Sequence, residues 1–298
     1  MKKTAFSSPE THRLGCLCAL HQRRRFTTLL AGGSAGAAAL ALPSESQAGG
    51  VGSLVPAEDV EAAAAQQYQK LLQQASSQRA LAPDNHPQVI RLRAIAQRLI
   101  PLSYQYNSRA RDWRWEVNLI ASRELNAFCM PGGKIAFFYG LLQQLQLTDD
   151  EVAMVMGHEM THALREHGRK QMGEEIARRA GIGILSTLLG WGNTGRTLAD
   201  MGTRLVSLRF SRADESEADL IGMELAARAG YDPHAGVTLW TKMMAASKGA
   251  PPEFLSTHPA SDARIREIEA NMPNVEPIYA RAQKPPQRFE PPAPRRNG

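Results

Sequence analysis

Cysteine is almost absent from this 298-residue chain: there are three, and two of them, Cys16 and Cys18, fall within the first 48 residues. Loss of that leader leaves Cys129 alone, which excludes an intramolecular disulfide framework and leaves Cys129 to be read as a buried, inert thiol. Long hydrophobic runs are missing too. The weakly apolar stretches Thr28 to Leu42 and Gly181 to Trp191 fall short of the ~20 residues that cross a bilayer, and both contain glycine. No Lys/Arg cluster with interleaved aromatics is present, so nucleic acid is excluded as a partner. The formal charge of +6 does not contradict this, because residues 1–48 carry six of the 35 Lys/Arg and two of the 29 Asp/Glu, leaving the remainder near +2. No internal repeat is found, so a solenoid is excluded.

Against these absences stands one dense stretch, Thr148 to Arg169, TDDEVAMVMGHEMTHALREHGR. Thr148 followed by Glu151 fits a capping box, and Asp149 and Asp150 add negative charge where the helix dipole is positive, so the spacing predicts a helix beginning there. Val152, Val155, Met156 and Met160 form its apolar stripe. His158 and His162, four apart, lie one turn above each other, close enough for both imidazoles to reach one ion. Glu159 sits about 100° round the helix beside them. Neutral imidazoles hold zinc without cancelling its charge, so water can be acidified, and an adjacent carboxylate is placed to take the proton. HExxH alone is only moderately specific, and a third ligand is required.

A candidate lies about fifty residues on, in SRADESEADLIGMELAARAG. Glu215 and Asp219 share the i, i+4 face of a second predicted helix that ends at Gly230. Glu215 is expected as the third ligand. Asp219, one turn later, is placed to accept the ring N–H of a ligating histidine. Glu217 lies about 200° round from Glu215 and is expected to face water. His167, five residues past His162, is about 140° away, so it is not expected to reach the same ion and suits the negative helix end instead. His86 and His234 sit in predicted loops.

HExxH with a downstream ExxxD resembles the gluzincins, and four spaced pieces resemble the zinc metallopeptidase family that contains HtpX, BepA and LoiP. They are NAFCMPGGKIAFFYGLL from Asn126, GHEMTHALREH from Gly157, SRADESEAD from Ser211 and STHPASDARI from Ser256, in that order, covering roughly Trp113 to Met272. The resemblance implies an α+β fold: a mainly helical zincin-like domain with a small β-sheet beside the active-site helix. It implies one zinc ion per chain held by His158, His162 and Glu215, with Glu159 as the base. His258, before Pro259 and therefore in extended backbone, is implied to stabilise the transition state or cap the zinc reversibly. Arg264 is implied to polarise substrate or orient His258. An edge strand near Asn126, Ala127 and Phe128 is implied to hold substrate backbone by β-augmentation.

Domain expectations follow. Arg23 to Phe26 gives the RRxF of a twin-arginine signal, and Ser46-Gln47-Ala48 a small-x-Ala site, so residues 1–48 read as a twin-arginine-type signal peptide. A mitochondrial presequence is the alternative. Residues 49–85 are expected as an N-terminal helical segment, 86–279 as the zinc metallopeptidase domain, and 280–298 as a Pro-rich disordered tail. Strands are expected at Trp113–Ile120, Ala127–Met130 and Lys134–Tyr139, turning at Pro131-Gly132-Gly133. Gly181 to Trp191 reads as a core helix, or as a lid giving peripheral membrane contact. The expected activity is zinc-dependent endopeptidase cleavage of protein substrates in the periplasm, with misfolded envelope proteins the implied class. A zinc-containing periplasmic chaperone with little proteolysis and a non-proteolytic zinc hydrolase are the alternatives.

Overall fold

The computed structural model describes residues 54–180, 202, 205, 208–247 and 252–294. The expected signal segment 1–48 and the stretch 181–191 lie outside the described residues. Two N-terminal helices come first. The breaker-poor Ala/Gln-rich stretch forms α1, Ala57–Ser77. Helix α2, Pro87–Ser103, has Pro at its first position and is capped by His86, whose Nδ1 accepts from the Gln88 N–H at 3.1 Å.

A three-stranded sheet follows, with β1 Glu116–Ile120, β2 Ala127–Met130 and β3 Lys134–Phe138 in the order β1-β3-β2. Strands β1 and β3 are parallel, with Val117 opposite Ile135, and β2 runs antiparallel to β3, with Cys129 opposite Ile135. The β2–β3 turn needs two residues in the left-handed region, and Gly132 and Gly133 supply them at φ 80° and 75°. Strand β2 is therefore an edge. Alternation splits the sheet between two faces: Met130, Ala136 and Phe138 pack with Tyr68 of α1, whereas Ala127, Cys129, Ile135 and Phe137 join the main core.

After the short α3, Tyr139–Gln144, comes the central helix α4, Asp149–Leu164, buried at every position but Asp150. The expected capping box is formed: Thr148 Oγ1 accepts from the Glu151 N–H at 3.3 Å, and the Thr148 N–H donates to Glu151 Oε2 at 2.8 Å. Fully buried Arg91 clamps the same end through Asp149 Oδ1 and the Leu147 carbonyl, both at 2.6 Å. Helix α5, His167–Ala180, follows a turn in which Glu166 takes φ 56°. Helix α6, Arg212–Arg228, is capped by Ser211.

Helices α4 and α6 cross at a pair of glycines. A Cβ on Gly157 would lie 2.7 Å from the Gly222 carbonyl oxygen, and a Cβ on Gly222 would lie 2.7 Å from the His158 nitrogen. Only the missing side chains let the backbones approach this closely. Among the described residues three more helices follow: α7 Ala235–Ala246, α8 Glu253–Thr257 and α9 Asp262–Arg281. The fold is α+β and mainly helical, with a small sheet beside the central helix, as the sequence predicts.

The tail departs from expectation. Helix α9 runs through Arg281, past the predicted boundary, and residues 282–294 are a strap rather than a disordered segment. The Phe289 N–H donates to Asp149 Oδ2 at 2.8 Å, Arg288 pairs with Asp150 at 2.7 Å, and Gln88 donates to the Glu290 carbonyl at 3.1 Å. A Pro-rich segment forms no ladder of its own, but its carbonyls remain available to such donors. Among the described residues, no helix is long and apolar enough to cross a membrane.

Candidate active site

His158 and His162 project from one face of α4, and their Nε2 atoms lie 3.2 Å apart. The Gly157–Gly222 crossing brings Glu215 of α6 to them: its carboxylate oxygens are 3.6 Å from His158 Nε2 and 3.5 Å from His162 Nε2. His258, immediately after α8, adds its Nδ1 at 3.3 Å from His158 Nε2 and 2.9 Å from Glu215 Oε1. All four groups are buried, and one ligand atom from each lies within 4.8 Å of the others.

This donor set fits zinc. A tetrahedral ion with bonds of ~2.0–2.1 Å has ligand–ligand edges of about 3.3 Å, and the separations between the two imidazoles and Glu215 run from 3.2 to 3.6 Å. Like-facing imidazole nitrogens crowded around one carboxylate have no mutual hydrogen-bonding scheme that satisfies all of them, whereas a shared cation does. Burial, and then the neighbouring His158, push the His162 pKa well below the ordinary histidine value, which favours the neutral imidazole that binds metal. Burial pushes the Glu215 carboxyl up, but the His258 hydrogen bond and the His158, His258 and Arg264 charges outweigh it and hold the group ionised.

Glu159, next to His158, faces the opposite wall, β2. Its carboxylate takes a backbone hydrogen bond from Cys129, while its buried Oε1 has no hydrogen-bond partner and lies 3.5 Å from His258 Nε2. Burial, opposed by His258 and His158, raises its pKa, the direction a general base working near neutrality requires. The space here is small. A cleft of about 50 Å³ is lined by Asn126 to Met130, Glu159, Phe210, Thr257 and His258, polar and large enough to hold ordered water. A larger cleft of about 870 Å³ runs along Ser122, Arg123, Tyr139, Gln143 and Pro294. It has no cluster of titratable or metal-ligating groups, so the chemistry points to the smaller one.

Support comes from a second ring of residues. Asp219 Oδ1 is 3.0 Å from His158 Nδ1 and is itself gripped by Arg264, with Nε to Oδ2 and Nη2 to Oδ1 both at 2.7 Å. Arg264 also pairs with Glu215 at 2.7 Å, donates to the Pro259 carbonyl at 3.2 Å and lies 3.7 Å over the Trp240 ring. Every arm of the guanidinium is thus occupied on the protein side. For Arg264 the resemblance implies either polarising substrate or orienting His258. Its grip on the carbonyl beside His258 fits the alternative, an orienting role.

Three participants carried no sequence signal. Phe210 stacks on His162 at 3.9 Å, and Trp240 supplies the face under Arg264. His167 was expected at a helix end. It begins α5 instead, buried, with its Nδ1 2.9 Å from His162 Nδ1 and its Nε2 2.9 Å from Glu217 Oε2. Glu217 is accordingly tied down by His167 and by Arg165 at 2.8 Å, although its side chain stays 37% exposed. His167 stays out of the ligand cluster, as expected, but its contact with His162 was missed because the helical wheel stops at Leu164: the turn through Glu166 redirects the chain and brings His167 back.

A buried HExxH helix, a carboxylate from a second helix and Glu159 facing an edge strand are the parts a metallopeptidase site requires. Residues 86–272 match the model of Peptidase family M48, and the chain belongs to that family. It is similar to the mitochondrial metalloendopeptidase OMA1 of Schizosaccharomyces pombe, at 34% identity over 65% of this chain and 56% of that one. Against the Arabidopsis thaliana OMA1 the identity is 38%, over 53% of this chain and 32% of the relative. The beta-barrel assembly-enhancing protease of Escherichia coli K12 is 29% identical, over 56% and 36%. The chain therefore spans from about a third to just over half the length of these relatives.

Proposed function

We propose that this protein is a zinc-dependent endopeptidase whose ion is held by His158, His162 and Glu215. The observation that carries the reading is the convergence of those ligand atoms within 4.8 Å, with the unpartnered Glu159 Oε1 beside them. Zinc, when bound, supplies the charge that acidifies water and polarises the scissile carbonyl. Glu159 Oε1 takes the proton from the attacking water and passes it to the leaving amine. Asp219 accepts the His158 Nδ1 proton and so keeps its Nε2 lone pair facing the ion. Strand β2, the outer strand of the described sheet, binds substrate backbone as an added strand through Asn126, Ala127 and Phe128, a reading supported by their place on the wall facing Glu159. Glu159→Gln is the direct test: zinc should stay bound while turnover falls by about 10²–10⁴-fold. A fully active variant would refute the base assignment.

His258 favours a latent state of the same enzyme. Its Nδ1 stands where a fourth ligand would stand, 2.9 Å from Glu215 and 3.3 Å from His158, and a fourth protein ligand is the mark of a closed site. We read this as reversible capping. His258→Ala should then retain zinc and raise casein cleavage per bound ion. A fall in cleavage would assign His258 to transition-state stabilisation, and continued inactivity with zinc bound would favour the chaperone reading. The proposed setting is quality control of misfolded cell-envelope proteins in the periplasm, supported by the RRxF leader. The alternative mitochondrial location is supported by the relatives named as mitochondrial. Fractionation with and without residues 1–48 separates the two.

A further inference from the structure

The two ligand histidines are supported by different devices. His158 reaches a carboxylate directly, whereas His162 reaches one only through a second imidazole. Among the described residues the contacts run from His162 Nδ1 to His167 Nδ1 at 2.9 Å and from His167 Nε2 to Glu217 Oε2 at 2.9 Å. Arg165 Nε holds the other Glu217 oxygen at 2.8 Å. Asp214 also lies near His167, at 3.7 Å, and it is engaged by Ser211 and Lys170.

We propose that His167 and Glu217 are positioning residues that fix the tautomer and ring orientation of His162 through a His–His–carboxylate relay. The inference rests on the reading of His162 as a metal ligand. An imidazole that offers Nε2 to a cation keeps its proton on Nδ1. That N–H needs an acceptor, and the atom facing it, His167 Nδ1, can accept only if the His167 proton is on Nε2. The Nε2–H is then donated to a carboxylate, which accepts and never donates at neutral pH. Each heavy atom in the chain has one consistent role, and the carboxylate terminus sets the direction. Burial of both rings keeps water from substituting for the His162–His167 contact. Phe210, stacked on the His162 face at 3.9 Å, limits tilting of the ring and leaves rotation about its own plane to the relay.

Outer partners of this kind are worth about 10–100-fold in metal affinity. The experiment is competition for zinc between a chromophoric chelator and the full chain, for the parent, His167→Leu, His167→Gln and Glu217→Ala, with melting of the zinc-free proteins as the fold control. His167→Leu should bind zinc about 10–100-fold more weakly. His167→Gln should stay close to the parent, because an amide oxygen can accept the His162 N–H while its NH₂ donates to Glu217. The cobalt-substituted parent and Gln variant should also share a visible spectrum from which the Leu variant departs. Parent-like zinc affinity in a folded Leu variant would overturn the relay, as would a Gln variant as weak as the Leu variant, since that pattern belongs to packing. If His167→Leu does not fold, Glu217→Ala carries the test: weaker zinc supports the relay and unchanged zinc overturns it. A parent that binds no zinc would instead sink the underlying metal-site reading, which distinguishes the two failures.

Discussion

At the residue scale, burial pushes two neighbouring carboxylates the same way, and their neighbours decide the outcome. Glu159 and Glu215 are both buried carboxylates, yet Glu159 is pushed up while Glu215 is held down, because Glu215 has the His258 hydrogen bond and the Arg264 charge. Separating two carboxylates in this way suits one to the proposed role of proton acceptor and the other to staying ionised. Cys129 belongs to the first kind: burial, reinforced by the Glu159 charge, raises its thiol pKa well above the ordinary value. Its side chain donates to the Met130 carbonyl at 3.7 Å and turns towards the core. Cys129 should therefore resist iodoacetamide at pH 8 in the native protein and react fully in denaturant. Native-state labelling as fast as that of a free thiol would contradict its placement.

At the scale of elements, the site depends on how closely two helices approach. Gly157 and Gly222 let α6 lie against α4, and Glu215 and Asp219 reach the histidines only across that contact. Gly222→Ala should force the helices apart, costing about 1–3 kcal/mol of stability and also weakening zinc binding, read by chemical denaturation and by metal content. Parent-like values for both would show that the close approach is not needed. This scale also separates what could be read in the sequence from what could not. His158, Glu159 and His162 were legible because they share one unbroken helix, and Glu215 with Asp219 because i, i+4 spacing fixes a common face. The α4 start was legible from Thr148 and Glu151, whose capping box is local. His167 was not, because its position is set by a left-handed turn at a non-glycine residue, Glu166, for which the sequence carries no marker. The Arg264–Asp219 pairing was not either, since it joins residues 45 apart whose meeting depends on the packing of α9 on α6.

At the scale of the whole molecule, the strap joins the chain's end to the start of the catalytic helix. Asp149 is shared between Arg91 of α2 and the Phe289 N–H, and Asp150 between Arg288 and the Asp232 N–H, so both N-terminal acids of α4 have structural partners besides the helix dipole. The Pro-rich composition suggested disorder because it predicts no self-pairing, and it says nothing about donors such as Gln88 and Gln146 elsewhere in the chain. The Arg288–Asp150 bond is exposed and the others are part-buried, and each contributes at the low end of about 0.5–1.5 kcal/mol. Deleting residues 282–298 should therefore lower stability by about 1–2 kcal/mol, a fall of about 2–8 °C in Tm. An unchanged Tm would mean that the strap adds nothing in solution.

The central claim is that a single buried zinc site with Glu159 as its base cleaves polypeptides. Zinc content and cleavage of unfolded casein, determined together for the purified protein and for Glu159→Gln, test it most directly. The account predicts about one zinc in both proteins, with chelator-sensitive cleavage in the parent that is lost in the variant. Cleavage that survives the substitution, or that persists after the metal has been stripped, would contradict it.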